Sequence, residues 1–457
     1  MRIVLLSMPD VAPVIMHESA FHMPSLGIAS IGANLDDRHE VYLIDLIRKR
    51  RHTRRYLTRT LLKIKPQVVG FSTMTWQYAT CLKLIRLIRS LLPDVKIVLG
   101  GYHATLMYQE IADAPEAAQI DFMIRGEAEV AFQSLVSALE GDGRLEKINA
   151  LSYKKNGTFI HNPPGDLLDL SRLKLPIRDE RRLTRGYHIM NHHCEVMETS
   201  RGCTRNCNFC SIRHMYGRAF RPFPIERILA DIDDIYYRRK VRWIFVSDDN
   251  MVMDPDRVIA LCDAIIARHY RKLYFVVQAD CVTMAQNETM VRKMAQAGFR
   301  SIFLGIENAS PKNLRTAHKG NILEHSRKAV ALCHQYGIMV VGGYITVEMF
   351  LPVPGLVGLA EKGDLVALVY LLMVPSLGMA LGVGQCANPN GSIGISRALT
   401  AMLAMEGLGY GCRDNGLIFS MNAHLWSGAL PIYRFGTEEQ KQKYLPGLID
   451  GRLISVQ

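Results

Sequence analysis

Three cysteines fall within eight residues in Cys203-Thr-Arg-Asn-Cys207-Asn-Phe-Cys210, after a short apolar run and an Arg201-Gly202 turn. Thiolates hold iron–sulfur clusters, and their spacing is diagnostic. This spacing can set three sulfurs around one face of an iron–sulfur cube and leave the fourth iron without a protein ligand. An iron with an open site can bind and reduce a small molecule. The chain therefore reads as a redox enzyme for one-electron chemistry. Three cysteines with a histidine can also hold zinc, and His192, His193 and His214 are the nearby candidates. Phe209, beside the last cysteine, would shield one side of a cube.

Such a loop needs a frame. Short apolar runs at Glu195–Thr199, Arg242–Ser247, Leu273–Gln278, Ser301–Gly305 and Ile338–Gly342 read as strands. Helical patterns near 225–237, 255–268, 288–297 and 326–336 separate them. Repeated βα units predict a barrel or partial barrel whose site lies at the C-terminal strand ends. The cysteine loop, Asp248-Asp249-Asn250, Gln278-Ala-Asp280 and Glu307-Asn308 all fall at those ends.

Residues 1–140 give a second alternation. Strands are expected at Arg2–Ser7, Glu40–Asp45, Gln67–Ser72, Lys96–Gly100 and Phe122–Arg125, with helices at Tyr78–Leu92 and Glu129–Leu139. Continuous apolar strands joined by helices imply a parallel sheet covered on both faces. Ligands of such sheets bind outside the strand C-termini. Ser7-Met8-Pro9, Ser72-Thr73, Gly100-Gly101-Tyr102-His103-Ala104-Thr105 and Arg125-Gly126-Glu127-Ala128-Glu129 lie there. Paired glycines let backbone approach a large ligand. A flavodoxin-like domain with ordinary turn glycines is the plainer alternative. Residues 141–190, with Asn162-Pro-Pro-Gly165 and many charges, read as a linker.

The chain has 457 residues, enough for two or three domains, and is 49% hydrophobic. Its first nine residues lack a cleavage site and read as a buried strand, not a signal peptide. Ten cysteines, three clustered and the rest scattered, suit a reducing cytoplasm better than a disulfide framework. The net charge of +12 is concentrated in Arg48–Arg55 and Arg181–Arg185. These runs lack interleaved aromatics and match no nucleic-acid reader motif. Solvated helix ends or a site for an acidic redox partner are the competing readings.

The triad Cys203, Cys207 and Cys210 resembles the signature of the radical S-adenosylmethionine superfamily. Pro24-Ser-Leu-Gly27, Gly100-Gly-Tyr-His-Ala-Thr105 and Arg125-Gly-Glu-Ala-Glu129 resemble loops of the branch that begins with a cobalamin-binding domain. The resemblance covers about residues 1–343. It implies an α/β chain. A Rossmann-like cobalamin-binding domain (1–140) and a linker (141–190) precede a radical SAM partial (β/α) TIM-type barrel (191–343). An atypical apolar segment (344–396) and a helical segment (397–457) follow.

By that resemblance, Cys203, Cys207 and Cys210 ligate a [4Fe-4S] cluster whose fourth iron takes the amine and carboxylate of S-adenosylmethionine. Reductive cleavage gives methionine and a 5′-deoxyadenosyl radical. Asp248 and Asp249 would meet the methionyl amine, where a carboxylate makes electrostatic sense. Glu307 would take ribose hydroxyls or the sulfonium side, and Gln278 would lie at the same site. Ser7, Met8, Pro9, Ser72, Thr73, Gly100, Gly101, His103, Gly126 and Glu127 would line the cobalamin site. Helix capping or solvation is the plainer role for the acidic groups. The stretch 8–16 has no histidine where a lower cobalt ligand usually sits, and His17 comes too late. This fits methyl transfer from methylcobalamin rather than a carbon-skeleton mutase. The branch also holds cyclases and ring-contracting enzymes. Implied partners are a small-molecule or lipid substrate and a flavodoxin- or ferredoxin-type electron donor.

After Tyr344 the pattern breaks. Leu365–Gly384 is a charge-free run of 20 residues, the length of a membrane span, but Pro375 and several glycines favour a buried helix pair or a misjoined segment. Residues 397–457, with Phe435-Gly-Thr-Glu-Glu-Gln440, resemble the helical N-terminal domain of acyl-CoA dehydrogenases. That family's flavin-contacting and catalytic portions would lie beyond residue 457, so dehydrogenase activity is not expected. An inactive chimera with an incomplete barrel is a further alternative.

Overall fold

The structure is a computed structural model, and it describes residues 1–10, 21–141, 143–189, 191–308 and 311–344. The chain divides into two units. One comprises residues 1–304 and 324–341, and the other comprises residues 305–323 and those from 342 onward. The expectations for 11–17, 346–355, 365–384 and 397–457 lie outside the described residues. Among the described residues no helix is long and apolar enough to cross a membrane.

Strand Arg2–Ser7 runs parallel to Glu40–Asp45 on one side and to Val68–Ser72 on the other. Lys96–Gly100 and Phe122–Ile124 continue the sheet in parallel. Its sequence order reverses beside Arg2–Ser7, the kind of switch point where α/β sheets open a crevice. Alternation along the strand separates two cores. Val4 and Leu6 face the helix side that carries Leu57, Leu61, Ile85 and Ile88. Ile3 and Leu5 face Ile28, Phe132 and Leu135.

The expected linker is not one. Leu151–Lys155 and Thr158–His161 extend the first sheet as an antiparallel hairpin. Its turn is Asn156-Gly157, with φ of +54° and +83°, as a two-residue hairpin of this type requires. Lys154 and Lys155 mask the strand by composition, although Lys154 lies over the Phe159 ring. The basic run 181–185 is likewise structural. Leu43 donates to the Arg181 carbonyl and accepts from Leu183, both at 2.9 Å, so the segment adds to strand Glu40–Asp45. Arg182 forms an ion pair with buried Glu195.

The second sheet runs His192–Met197, Trp243–Val246, Tyr274–Ala279, Phe299–Glu307 and Met339–Tyr344 in spatial order, a partial barrel whose first four strands are parallel. His188–Ile189 and Phe21–His22 close its other edge antiparallel. The first 140 residues therefore contribute to both sheets. Asp254 caps helix Pro255–Ala267 by accepting from the Arg257 amide. Helix Glu288–Ala297 ends at Gly298, whose φ is +101°. A Cβ at Gly298 would sit 2.4 Å from the Leu273 carbonyl oxygen.

Gly298→Ala therefore meets both a left-handed backbone and a backbone clash. It should cost on the order of 1–3 kcal/mol and lower the thermal midpoint. An unchanged midpoint would show that the turn relaxes freely.

Candidate functional site

Strand His192–Met197 delivers the chain to Ser200–Arg201, which pairs antiparallel with Arg221–Pro222. The pairing closes a loop over 202–220 that holds the three cysteines and the helix Ile212–Tyr216. Gly202 has φ +87°, and a Cβ there would lie 2.2 Å from the Ala219 carbonyl oxygen. Only glycine fits this close approach. Cys203 and Cys210 are half-buried, Cys207 is buried and Phe209 is half-buried. Among the described residues, no three His, Cys, Asp or Glu side chains already converge as a metal shell. The loop offers three thiols within eight residues. Two of the histidines that zinc would need are turned to other contacts. His192 stacks on Trp243 at 4.4 Å at the far end of its strand, and His214 is exposed against Arg213.

Asp280 and Asn250 fasten the loop from the barrel side. Arg205 donates to Asp280 Oδ1 at 2.9 Å and to Thr283 Oγ1 at 3.0 Å. Asn250 donates to Asp280 Oδ2 at 3.0 Å, and its amide lies 3.9 Å from Cys203 Sγ.

The two adjacent aspartates divide. Asp248 is buried and accepts from the Thr199 amide, the Thr199 hydroxyl and the Ser200 hydroxyl at 2.5–2.6 Å. Its carboxylate is occupied by the strand end, and burial raises its pKa. Asp249 accepts from the Gly202 amide at 2.9 Å and faces a cavity. Burial pushes its pKa up to about 6, with the Gly202 bond acting against that. Gln278 donates to the Asp248 carbonyl at 3.3 Å. Glu307, in the other unit, is buried with φ +65° and holds Lys319 at 2.9 Å.

That cavity has a volume of about 290 Å³ and opens at the C-terminal ends of the first sheet. Leu5, Val98, Ile124 and Phe132 give it an apolar floor. Gly70 leaves it open, because a Cβ there would come within 2.7 Å of Leu5 and 3.1 Å of Phe132. Of the residues that the resemblance assigns to a cobalamin site, Ser72, Gly100, Gly101, Gly126 and Glu127 line it. Gly101 has φ +89°, and a Cβ would lie 2.7 Å from both the amide nitrogen and the carbonyl oxygen of Thr73. The other expected wall residues are elsewhere. Ser7 bonds Asp45, and Met8 and Pro9 are buried, Met8 in the core of the opposite face. Thr73 is buried as a backbone clasp, accepting from the His103 amide at 3.1 Å. The His103 ring packs on Tyr78 at 4.1 Å.

Several wall residues escaped sequence reading. Helix Leu26–Ala33 begins inside the Pro24–Gly27 stretch read as a loop, and it brings Gly27 and Ser30. Tyr102, Tyr216, Glu198 and Arg201 complete the far wall. Arg201 is buried and donates at 2.7 Å to each of Glu127, Glu129 and Glu198. Its Nε donates to the second Glu198 oxygen at 3.0 Å, and Arg221 adds two 3.0 Å bonds to Glu127. Burial opposes ionisation of Glu129, but the guanidinium outweighs it and holds that carboxyl below its ordinary range. For Glu198 burial wins over Arg201 and its pKa is raised.

Residues 12–136 match the B12 binding domain and residues 197–351 match the Radical SAM superfamily. The chain thus carries a B12-binding domain match followed by a radical SAM domain match. It is 27% identical over 343 residues to an uncharacterized methyltransferase of Pyrococcus horikoshii, covering 75% of this chain and 73% of the relative. It is 25% identical to the anaerobic magnesium-protoporphyrin IX monomethyl ester cyclase of a Synechocystis strain, over 76% of this chain and 69% of the relative. It is 26% identical to the hopanoid C-3 methylase of Methylococcus capsulatus, over 72% and 62%.

The fold resembles that of the cobalamin-dependent S-adenosylmethionine radical enzyme OxsB, with a TM-score of 0.63 at 21% identity. The match covers 81% of this chain and 52% of the solved one, so the chain spans about half the length of that enzyme. Residues 379–452 match the N-terminal domain of acyl-CoA dehydrogenases, beginning earlier than the resemblance at 397 and lying outside the described residues. In the B12-binding and radical SAM portions, the cavity lies where the first sheet meets the segment that enters the cysteine loop.

The raised pKa of Asp249 has a pH signature in the cluster-free protein. The folded state binds a proton more tightly than the unfolded state, so Asp249 weakens folding as pH rises from about 4 to about 6. Asp249→Asn should flatten that part of the profile in denaturant titrations from pH 4.5 to 7. Identical slopes in both proteins would show that Asp249 is not perturbed.

Proposed function

We propose that the chain is a cobalamin-dependent radical S-adenosylmethionine enzyme that methylates an unactivated carbon of a small-molecule or lipid substrate. The observation that carries this reading is the shared wall. One cavity is bounded both by the strand-end glycines of the B12-binding portion and by Glu198, Ser200 and Arg201, which lead into Cys203. Together the three cofactors supply one-electron cleavage of a sulfonium, hydrogen abstraction and a transferable methyl group. Cys203, Cys207 and Cys210 would hold the cluster, with Phe209 as a shield. Three thiols in one loop fit an iron–sulfur cube.

Asp249 would present its free oxygen to the ammonium of S-adenosylmethionine while its other oxygen fixes Gly202. Asp248 would act one step back, by holding Thr199 and Ser200 in place. Gly70, Gly100, Gly101 and Gly126 would admit the corrinoid by leaving the wall without side chains. Glu127 belongs to the wall through its grip on Arg201 and Arg221. A flavodoxin- or ferredoxin-type protein in a reducing cytoplasm would supply the electron.

Similarity to an anaerobic cyclase at nearly the same coverage favours a second reading, oxidative cyclisation. Product analysis separates the two. Methylated product with S-adenosylhomocysteine supports methyl transfer, and turnover without them supports cyclisation.

Anaerobic reconstitution with iron, sulfide and hydroxocobalamin should give about four irons and one corrinoid per chain by metal analysis and absorbance. The reduced-cluster electron paramagnetic resonance signal should shift when S-adenosylmethionine is added. Cys203→Ala should lose the cluster signal and retain corrinoid. A cluster without corrinoid would remove methyl transfer. A cluster that never cleaves S-adenosylmethionine would mark an inactive chimera.

A further inference from the structure

We infer that Arg201 is a positioning residue that couples the two cofactor sites, so that cluster assembly and corrinoid binding favour one another. The inference rests on the cofactor reading above. Arg201 directly precedes Gly202-Cys203, and its guanidinium is held by Glu127 and Glu129 of the opposite wall. Glu129 is itself bonded by the Ser30 hydroxyl at 2.8 Å. Ser30, Glu127, Glu129, Arg201 and Asp249 all line the one cavity.

The path from wall to thiol has little slack. Two guanidinium bonds of 2.7 Å join the two sides, and two more of 2.7 and 3.0 Å tie the same guanidinium to Glu198 beside it. At its other end Gly202 is pinned by Asp249 and packed against the Ala219 carbonyl. A shift of the cysteine loop would break buried charged bonds in the cavity wall. A cofactor that orders the loop therefore pre-orders the wall, and the second cofactor has less left to order. Linkage makes the effect reciprocal.

The test is the affinity for hydroxocobalamin, titrated anaerobically by absorbance on the full chain with and without the reconstituted cluster. The cluster should tighten binding about fivefold or more. Glu129→Gln keeps the shape and weakens the charged bond, so the ratio of the two affinities should fall towards one. Arg201→Lys, which cannot fork to three carboxylates, should do the same. Ser30→Ala, a gentler change, should lower the ratio part-way. A merely structural role would weaken corrinoid binding equally in both forms, and an unchanged ratio in the variants would overturn the inference. So would a ratio of one in the unaltered chain with both cofactors bound. If no corrinoid binds in either form, the cofactor reading itself falls.

Discussion

A single buried guanidinium organises the site. Arg201 lies among three carboxylates, Glu127 from the loop after strand Phe122–Ile124, Glu129 from the start of the helix that follows, and Glu198 from its own strand end. Desolvating four charges is expensive, and such a cluster is poor evidence of stability in itself. Removing one member is a different matter. It strands a buried charge and typically costs about 3–5 kcal/mol. The cluster therefore fixes geometry rather than adding net strength. The Arg125-Gly-Glu-Ala-Glu129 segment thus reaches past its own sheet and holds the residue that starts the cysteine loop. Two motifs far apart in sequence are one object in space.

The same logic explains what was legible. The five parallel strands of the first sheet could be read because both faces are buried and their apolar runs are unbroken. The hairpin at 151–161 could not be read from apolarity, since its inner strand ends in Lys154-Lys155 and its outer strand, Thr158–His161, is a short sheet edge. Its Asn156-Gly157 turn was the signal, and it was there to be used. Helix Leu26–Ala33 was obscured because Gly27, Ala29, Gly32 and Ala33 weaken any helical periodicity. Those small residues suit close packing. A Cβ at Gly32 would lie 3.1 Å from both Ile177 and Leu43.

Site residues were legible by type more than by direction. Asp248 and Asp249 are neighbours at a strand end, where successive side chains point to opposite sides. One is occupied by Thr199 and Ser200, and the other faces the cavity. A one-dimensional motif offers both equally. His103 shows the same limit, because its motif is at the cavity while its ring turns to Tyr78. Arg201 was passed over because an arginine before glycine and cysteine looks like a turn. Its meaning depends on two glutamates more than seventy positions away.

Residues 178–184 bear on how separable these domains are. They pair with strand Glu40–Asp45 through Leu43 and bond the Asp45 amide through the Thr184 hydroxyl at 3.0 Å. From the same segment, Arg178 reaches Asp231 and the Val196 carbonyl, and Arg182 reaches Glu195. The stretch between the two family matches is thus common property of both. Modular exchange of the front domain, by recombination or by design, would succeed only with this strap and its buried acidic partners inherited together. The unit of inheritance is longer than either domain match.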